Sequence, residues 1–293
     1  MIVVTGATGH YGRKVVEGLI SRVPASNLDV SVRDPEKATG LTAKGIRVEK
    51  ASFAEPATLA AAFDGAEQVL LVSANVLGDE AIRLHGSAIQ AAKDAGVKRI
   101  LYTSHQAASP TSKVAFARDH AATEELLKAS GVDFVSLRNG FYAESSLYQL
   151  GGIQATGKLA LPGDGNVSWT LRDDLAQAAV SALINTSLFQ GITAPLTASR
   201  TYTFAEIAGL AAGALNREVV FELISAETYR QAALQRGFPE PMVGMLLSMF
   251  AAIHDNEFNI VTPTLERVLM RKPAEYQAVL MPYLTNGGVP QAH

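Results

Sequence analysis

The chain has 293 residues, of which 48% are hydrophobic and 18% are charged, as is typical of a well-packed globular protein with one large α/β unit or two closely joined lobes. Its net charge of −3 gives no electrostatic reason to expect a nucleic-acid or membrane partner. The absence of cysteine excludes disulfides, thiol nucleophiles and thiolate metal sites.

Short runs rich in β-branched residues alternate with amphipathic stretches over the first half of the chain. We predict six strands, at Ile2–Thr5, Leu28–Val32, Ile46–Lys50, Gln68–Val72, Arg99–Thr103 and Phe134–Arg138. We predict helices between them, near residues 12–22, 35–44, 56–63, 80–95 and 113–130. This alternation indicates βαβ units. Right-handed crossovers then give a doubly wound parallel sheet that binds ligands at the carboxyl ends of its strands.

The regular alternation stops after Arg138. Residues 139–165 are rich in Gly, Ser and Tyr and contain few periodic segments. A helix is expected from Arg172–Asp174 to about Asn185, followed by a helix at 204–215, a strand at 218–223 and further helices. The pattern predicts a sheet domain over 1–150, completed by the helix at 172–185. The remaining residues, 151–293 and mainly 186–293, form a smaller C-terminal α/β lobe for the substrate.

The first strand begins at Ile2 and leads directly into a glycine-rich loop. No basic or cleavable leader precedes the strand, and no apolar run approaches the 18 residues of a membrane span. We therefore expect a cytoplasmic protein.

Three glycines, Gly6, Gly9 and Gly12, join the first strand to the first helix in the spacing GxxGxxG. In such loops one glycine makes the tight turn, a second leaves room for a pyrophosphate, and a third lets the helix pack on the strand. The helix offers its free N–H groups and positive dipole end to the phosphates. The alternative is a glycine-rich turn without a ligand. The position after the first strand favours a Rossmann-type dinucleotide loop made of Gly6, Ala7, Thr8, Gly9, His10, Tyr11 and Gly12.

Arg33 stands at the end of the second strand, about 20 residues past the loop, where a residue contacts the adenosine ribose. NAD-specific sites usually carry Asp or Glu there, whereas a guanidinium matches a 2′-phosphate by bidentate pairing. Asp34 follows directly and leaves NAD open as an alternative, and a solvated surface cation is the other reading of Arg33. The pattern favours NADP, as NADPH, as the cofactor.

Five segments of the chain carry a family resemblance: TGATGHYG, SVRDPEKA, AAKDAGVKRILYTS, DHAATEELL and SLRNGFYAES. Together they resemble the NmrA-like atypical short-chain dehydrogenases, in particular the bacterial NADPH-dependent quinone reductases and triphenylmethane-dye reductases. The resemblance extends over essentially the whole chain and is strongest in residues 1–175. It implies an N-terminal Rossmann domain and a smaller C-terminal lobe, with the substrate in the cleft between them.

The resemblance also implies roles for residues beyond the loop. Arg33 would contact the 2′-phosphate, and Arg172 would lie near the cofactor. The adenosine and its ribose would be lined by Ser73, Ala74 and Asn75. The segment beside the nicotinamide would be Arg138, Asn139, Gly140, Phe141 and Tyr142. Ser104 and His105 follow the predicted fifth strand, so we assign Ser104 to the cofactor and His105 to the substrate; either is alternatively a strand-end cap.

Most short-chain dehydrogenases use a Tyr and a Lys four residues apart, in which the lysine lowers the pKa of the proton-donating tyrosine. This chain contains no YxxxK. His120 stands where related enzymes carry the catalytic lysine, and Tyr142 follows a predicted strand end, so both are candidate catalytic residues. A structural histidine and a packed aromatic ring are the alternatives.

A reductase of quinones or cationic dyes needs no such pair, because these acceptors take hydride at an electron-poor centre. The missing acid–base residues therefore favour hydride transfer from NADPH to a quinone-like or dye-like aromatic acceptor. They are equally consistent with a non-catalytic NADP-binding redox sensor, although RNGFY resembles the reductases more than the regulators.

A methionine-rich apolar segment, FPEPMVGMLLSMF, lies near the C-terminus. It is either core packing or an adaptable wall for a flat aromatic substrate, for which Phe238, Met242 and Phe250 are the candidates. The histidines show no metal-ligand spacing such as HExxH, so we predict no metal site. The chain contains neither a GxSxG elbow nor a Walker lysine. A homodimer is possible, but the sequence does not decide the oligomeric state.

Overall fold

The computed structural model describes residues 1–286. Their strands are β1 (Ile2–Thr5), β2 (Leu28–Val32), β3 (Arg47–Lys50), β4 (Gln68–Leu71), β5 (Arg99–His105), β6 (Asp133–Asn139), β7 (Lys158–Leu161), β8 (Gly191–Ile192) and β9 (Val220–Leu223). Seven of them form one parallel sheet in the order β3-β2-β1-β4-β5-β6-β8. β7 and β9 form a separate parallel pair. The sheet order confirms the predicted doubly wound Rossmann-type fold.

Helices cover both faces of the sheet and build most of the C-terminal lobe. They are α1 (His10–Ile20), α2 (Thr39–Thr42), α3 (Pro56–Phe63), α4 (Asp79–Asp94), α5 (Ala115–Ser130), α6 (Ala143–Ser146), α7 (Ile153–Thr156), α8 (Arg172–Ile184), α9 (Phe204–Leu215), α10 (Ala226–Gln235), α11 (Glu240–His254), α12 (Thr264–Leu269) and α13 (Gln277–Thr285). Within residues 1–286, none of these helices is both long and apolar enough to cross a membrane.

Alternate side chains of each central strand enter opposite cores, because successive residues of a strand point to opposite faces. Val4 and Leu101 pack with α1 and α8 on one face. Val3 and Ile100 pack with α3 and α4 on the other. Both faces of the sheet are thus covered, which explains why the central strands β1 and β4 are nearly continuous apolar runs.

A third core belongs to the C-terminal lobe. It is rich in aromatic rings, with Trp169, Phe204, Phe258 and Tyr276 among its buried members. Ala107 and Val114, which follow β5, also enter this core, so the lobe packs directly against the carboxyl edge of the sheet. The site described below lies along this junction.

Most predicted elements are confirmed, and the differences have local causes. The bounds of β1, β2 and α3 are as predicted, but β5 and β6 each run further, so His105 and Asn139 lie inside strands. The predicted helix at 35–44 is a 3₁₀ turn at Pro35–Ala38 followed by α2. β8 was missed because two residues carry no periodicity.

The chain passes between the two regions more than once. Residues 143–150 pack in the C-terminal core, whereas α8 lies on α1, and β8 extends the main sheet. The predicted division of the chain into a sheet domain over 1–150 and a smaller lobe over 151–293 therefore remains a prediction.

Candidate functional site

The glycine loop after β1 gives each glycine a different task. Gly6 has φ +61°, a conformation that favours glycine, and its amide donates to the Ser31 carbonyl oxygen over 3.0 Å. A Cβ on Gly12 would overlap the Gly6 carbonyl oxygen, so Gly12 allows α1 to pack on the loop. A Cβ on Gly9 would meet only that same oxygen, at 3.3 Å. Gly9 therefore keeps the space in front of the loop open.

α1 begins directly behind this open space. Gly9 is its N-cap, and no side chain in the described part of the chain (1–286) accepts a hydrogen bond from the first amides of the helix. Ala7 is buried beneath the loop, and the loop surface includes Thr8 and His10. An uncapped helix N-terminus behind a glycine turn fits an anionic group such as a pyrophosphate.

Arg33 and Asp34, the two charged residues after β2 that are candidates for contact with the adenosine ribose, have different surroundings. Asp34 caps the 3₁₀ turn, since its carboxylate accepts from the amide of Glu36 over 3.3 Å and lies 3.5 Å from Lys37 Nζ. Arg33 is exposed at the strand end, and no hydrogen bond or ion pair engages its side chain within residues 1–286. Its guanidinium is thus available to an anion from outside the protein.

The loop after β4 lies beside the glycine loop, because β4 pairs with β1. The Ser73 amide donates to Thr103 Oγ1 over 2.8 Å, and the Ala74 amide donates to His85 Nε2 over 2.9 Å. These two amides are therefore used within the protein. Asn75 is exposed, and so are the apolar side chains of Val76 and Leu77, which were not among the predicted site residues.

Asn139, at the carboxyl end of β6, is 1% exposed, and both its amide oxygen and its amide nitrogen lack a partner within residues 1–286. It lies beside the side chains of Tyr11 and Tyr142, whose pKa values burial raises. Buried amides nearly always find hydrogen-bond partners. The two orphaned atoms of Asn139 therefore indicate a site for a polar ligand group.

Tyr142 lies next to Asn139 and Tyr11. Its ring stacks on Tyr11 with centroids 6.1 Å apart, and the Arg172 guanidinium carbon lies 4.9 Å from the centre of the Tyr142 ring. Burial raises the pKa of Tyr142, and the positive charge of Arg172 acts in the opposite direction. The structure therefore brings together four residues of the predicted site, Tyr11, Asn139, Tyr142 and Arg172.

Glu124 engages two residues that we expected at the cofactor. This carboxylate is 2% exposed and accepts two hydrogen bonds from Arg138, at 2.6 and 3.0 Å. It also accepts from Ser104 and Ser136, each at 2.8 Å. A buried carboxylate needs such partners because burial without them is costly. The side chains of Ser104 and Arg138 thus bind Glu124, and their expected cofactor contacts remain a prediction.

Gly140 also has a packing role. A Cβ there would overlap the Thr170 side chain and lie 2.8 Å from the Leu196 carbonyl oxygen. The residue is therefore small so that β6 can approach these neighbours, and the close packing fixes the position of the Asn139–Tyr142 segment.

His105 is enclosed by aromatic rings. Its ring centroid lies 5.0 Å from that of Phe116, 5.3 Å from that of Phe141 and 5.6 Å from that of Phe258. Its Nδ1 accepts from the Ala107 amide over 3.2 Å, whereas its Nε2 is buried without a partner within residues 1–286. Burial lowers the pKa of His105 to about 3, so the ring is neutral at physiological pH.

His120 lies next to His105, with the two rings nearly parallel and their centroids 6.2 Å apart. Its Nδ1 is 2.7 Å from the Tyr102 hydroxyl. Burial lowers the pKa of His120 well below its usual value, and His105 and His85 add to this effect. An imidazolium at neutral pH is therefore not available here as a proton donor.

The predicted substrate residues separate into two groups. Phe238 and Met242 are exposed. Phe250 is 2% exposed and packs against Phe204 and Tyr229, so its assignment to the substrate is wrong and it belongs to the core. The helical pattern of α11 places Val243 and Phe250 seven residues apart on the same buried face.

A partly exposed aromatic pair provides an alternative wall. Phe116 and Phe141 lie with ring centroids 5.8 Å apart beside His105, and Phe141 contacts Trp169 at 4.9 Å. Phe116 was not predicted as a site residue. Its position four residues before His120 places both side chains on the same face of α5, and this spacing could have identified it. Within residues 1–286, no group of three or more His, Asp or Glu side chains is placed to hold a metal ion.

Comparison with known proteins gives a family match and several relatives. The profile of the NmrA-like family matches residues 1–278. Quinone oxidoreductase 2 of Escherichia coli strain K12 is 35% identical over 247 residues, which cover 84% of this chain and 85% of that protein. The NAD(P)H azoreductase of Xenophilus azovorans is 30% identical over 273 residues, which cover 92% of this chain and 93% of that protein.

Solved structures agree closely with this fold. The crystal structure of the E. coli NADPH-dependent quinone oxidoreductase complexed with NADPH superposes with a TM-score of 0.91 at 31% identity, covering 97% of this chain and 100% of the other. The Citrobacter triphenylmethane reductase complexed with NADP(H) gives a TM-score of 0.88 at 28% identity, covering 96% of this chain and 99% of the other.

Proposed function

Because the chain belongs to the NmrA-like family, we propose that it is an NADPH-dependent reductase that transfers hydride to a quinone or to an aromatic dye. The orphaned amide of Asn139, buried at the carboxyl edge of the sheet, is the observation that carries the proposal. The relatives described above, which are named for the reduction of quinones, azo compounds and triphenylmethane dyes, support the acceptor class.

The residues present fit NADPH at several points. The loop from Gly6 to Gly12 and the N-terminus of α1 would hold the pyrophosphate, and the exposed Arg33 would pair with the 2′-phosphate. Asn139 would bind the polar end of the nicotinamide. When bound, NADPH supplies the hydride; the protein orients the two reactants and excludes water.

The acid–base groups of the site suit an acceptor that needs no strong proton donor during hydride transfer. No YxxxK pair exists in the sequence. Burial raises the pKa of Tyr142 and lowers that of His120, so neither is tuned to donate a proton near neutral pH. The partly exposed rings of Phe116 and Phe141 form an apolar wall for a flat aromatic acceptor.

The proposal is tested by following NADPH oxidation in the presence of a benzoquinone, a triphenylmethane dye, an azo dye and an aliphatic ketone. We expect steady turnover with at least one aromatic acceptor and none with the ketone, because the ketone needs a proton donor during hydride transfer. Undetectable NADPH oxidation with every aromatic acceptor would contradict the proposal and favour an NADP-binding regulator instead.

Arg33→Ala is expected to narrow the preference for NADPH over NADH. Loss of a charge-assisted pair with the 2′-phosphate costs roughly 1.5–3 kcal/mol, which corresponds to a tenfold to hundredfold weaker affinity for NADPH. The affinity for NADH, which lacks this phosphate, should change little. Titration followed by nicotinamide fluorescence measures both constants, and equal affinities of the wild type for the two cofactors would contradict the assignment.

Tyr142→Phe is expected to lower kcat less than about tenfold, well short of the roughly 10²–10⁴-fold loss that follows removal of a general acid. Phenylalanine keeps the ring that stacks on Tyr11, and the hydroxyl it removes has a raised pKa. Tyr148→Phe, at an exposed position, is the matched control. A loss above a hundredfold for Tyr142→Phe alone would identify Tyr142 as the proton donor.

A further inference from the structure

We propose that His120 is a neutral hydrogen-bond donor to the hydride acceptor, and that Tyr102 and His85 are positioning residues that fix the tautomer in which His120 donates. This inference rests on the proposed reductase function. It depends on a chain of hydrogen bonds that runs from the loop after β4, through α4 and β5, to α5.

The chain begins at His85, which is 3% exposed on α4. The Ala74 amide can only donate, and it lies 2.9 Å from His85 Nε2, so this nitrogen carries no proton. The proton of the neutral ring is therefore on Nδ1, 2.9 Å from Thr123 Oγ1. Thr123 is able to accept it, because its own hydroxyl donates to the Asp119 carbonyl oxygen over 2.8 Å.

Tyr102 transmits this orientation to α5. Its hydroxyl lies 3.4 Å from His85 Nδ1 and 2.7 Å from His120 Nδ1. Since His85 Nδ1 already carries a proton, the hydroxyl hydrogen of Tyr102 has His120 Nδ1 as its acceptor. His120 Nδ1 is thus unprotonated, and the single proton of the neutral ring is on Nε2.

The Nε2–H group of His120 has no partner within residues 1–286, and the side chain is partly exposed. Phe116 lies one turn earlier on the same face of α5, and His105 lies parallel to the His120 ring. The His105 ring contacts both Phe116 and His120, so we expect a flat aromatic acceptor that packs against Phe116 to place its carbonyl oxygen near the free N–H.

The donor acts without giving up its proton. Hydride transfer to a quinone moves two electrons and one hydrogen nucleus from NADPH to the quinone, which becomes a hydroquinone anion while NADPH becomes NADP⁺. The hydrogen bond from His120 stabilises the negative oxygen as its charge develops. Water then supplies the proton that completes the hydroquinone. Burial, which lowers the pKa of His85 to about 4 and that of His120 well below its usual value, keeps both rings neutral.

The tautomer is measured by the ¹⁵N chemical shifts of the imidazole nitrogens in labelled protein, with His120→Gln used to assign the His120 signals. We expect His120 to be protonated at Nε2 and His85 at Nδ1 in the wild type. In Tyr102→Phe, His120 should become a mixture of tautomers while His85 keeps its proton on Nδ1. A wild-type His120 protonated at Nδ1, or a His120 tautomer unchanged in Tyr102→Phe, would overturn the proposal.

Kinetics with a benzoquinone test the donor itself. His120→Leu removes the N–H and should lower kcat/KM roughly tenfold, whereas His120→Gln keeps a neutral N–H and should retain most of it. Both variants should bind NADPH with the affinity of the wild type. An unchanged affinity would show that the fold and the cofactor site are intact. Equal losses in the two variants, with that affinity preserved, would overturn the donor role. The tautomer is read without substrate, so an absence of wild-type turnover would contradict only the proposed function.

Discussion

Replacing Gly9 with valine is expected to weaken NADPH binding more than a hundredfold and to leave the chain folded. The Cβ of residue 9 would lie 3.3 Å from the Gly6 carbonyl oxygen, which the loop can accommodate by a small shift. The two methyl groups beyond it would occupy the space in front of α1, where we propose that the pyrophosphate binds the first helical amides. Calorimetric titration with NADPH measures the loss, and circular dichroism tests the fold.

Two further glycine variants separate the cofactor effect from a folding defect. Gly213 on α9 has open space around its Cβ position, so Gly213→Val should bind NADPH as the wild type does. Gly12→Ala should instead destabilise the fold, because its Cβ would overlap the Gly6 carbonyl oxygen. Unchanged NADPH affinity in Gly9→Val would show that the loop does not bind the pyrophosphate.

Acid is expected to destabilise this protein steeply, beginning below about pH 6.5. In the folded chain, burial lowers the pKa of His85 to about 4 and that of His105 to about 3, and it lowers that of His120 well below its usual value. The unfolded chain therefore binds more protons than the native state between about pH 6.5 and pH 4. The stability is fully present above pH 6.5 and is lost as the pH falls toward the native values, by about 1.4 kcal/mol per pH unit for each such histidine.

Urea unfolding at several pH values between 7 and 4.5 measures this dependence. Replacing His105 with glutamine removes one of the protons taken up on unfolding. The slope of the unfolding free energy against pH should therefore fall by about 1.4 kcal/mol per pH unit, even if the substitution also changes the stability at pH 7. Gly213→Ala on α9, which has open space around its Cβ position and changes no titratable group, is the control and should keep the wild-type slope. An unfolding free energy that is the same at pH 7 and pH 5 would show that the three rings are not held neutral by burial.

The glycine loop was predictable because its requirements are local. Gly6 needs a positive φ, Gly12 needs contact with the loop, and both constraints lie within seven residues of chain. The strand alternation was equally visible, since buried parallel strands are continuous apolar runs. β8 escaped prediction because Gly191 and Ile192 join the sheet only through pairing with β6, which no local pattern records.

The polar network around the site was not predictable in the same way. Glu124 and Arg138 are 14 residues apart, and their pairing depends on how α5 packs on β6. His85, Tyr102 and His120 come from three different elements. A weak signal did exist, because His85 and Glu124 fall among the buried positions of amphipathic helices, where an unpaired polar side chain is unexpected. The sequence identifies such residues without identifying their partners.

Trp169 gives this protein a built-in optical reporter. It is the only tryptophan of the chain, it is 1% exposed, and its ring centroid lies 4.9 Å from that of Phe141, one of the two rings of the proposed apolar wall. The indole fluorescence therefore comes from one place, the aromatic core next to this proposed wall. Reduced nicotinamide absorbs light in the range where indole emits, so cofactor binding should quench this emission by energy transfer. Cofactor occupancy is then readable in unlabelled protein, from a single fluorophore and without any engineered substitution.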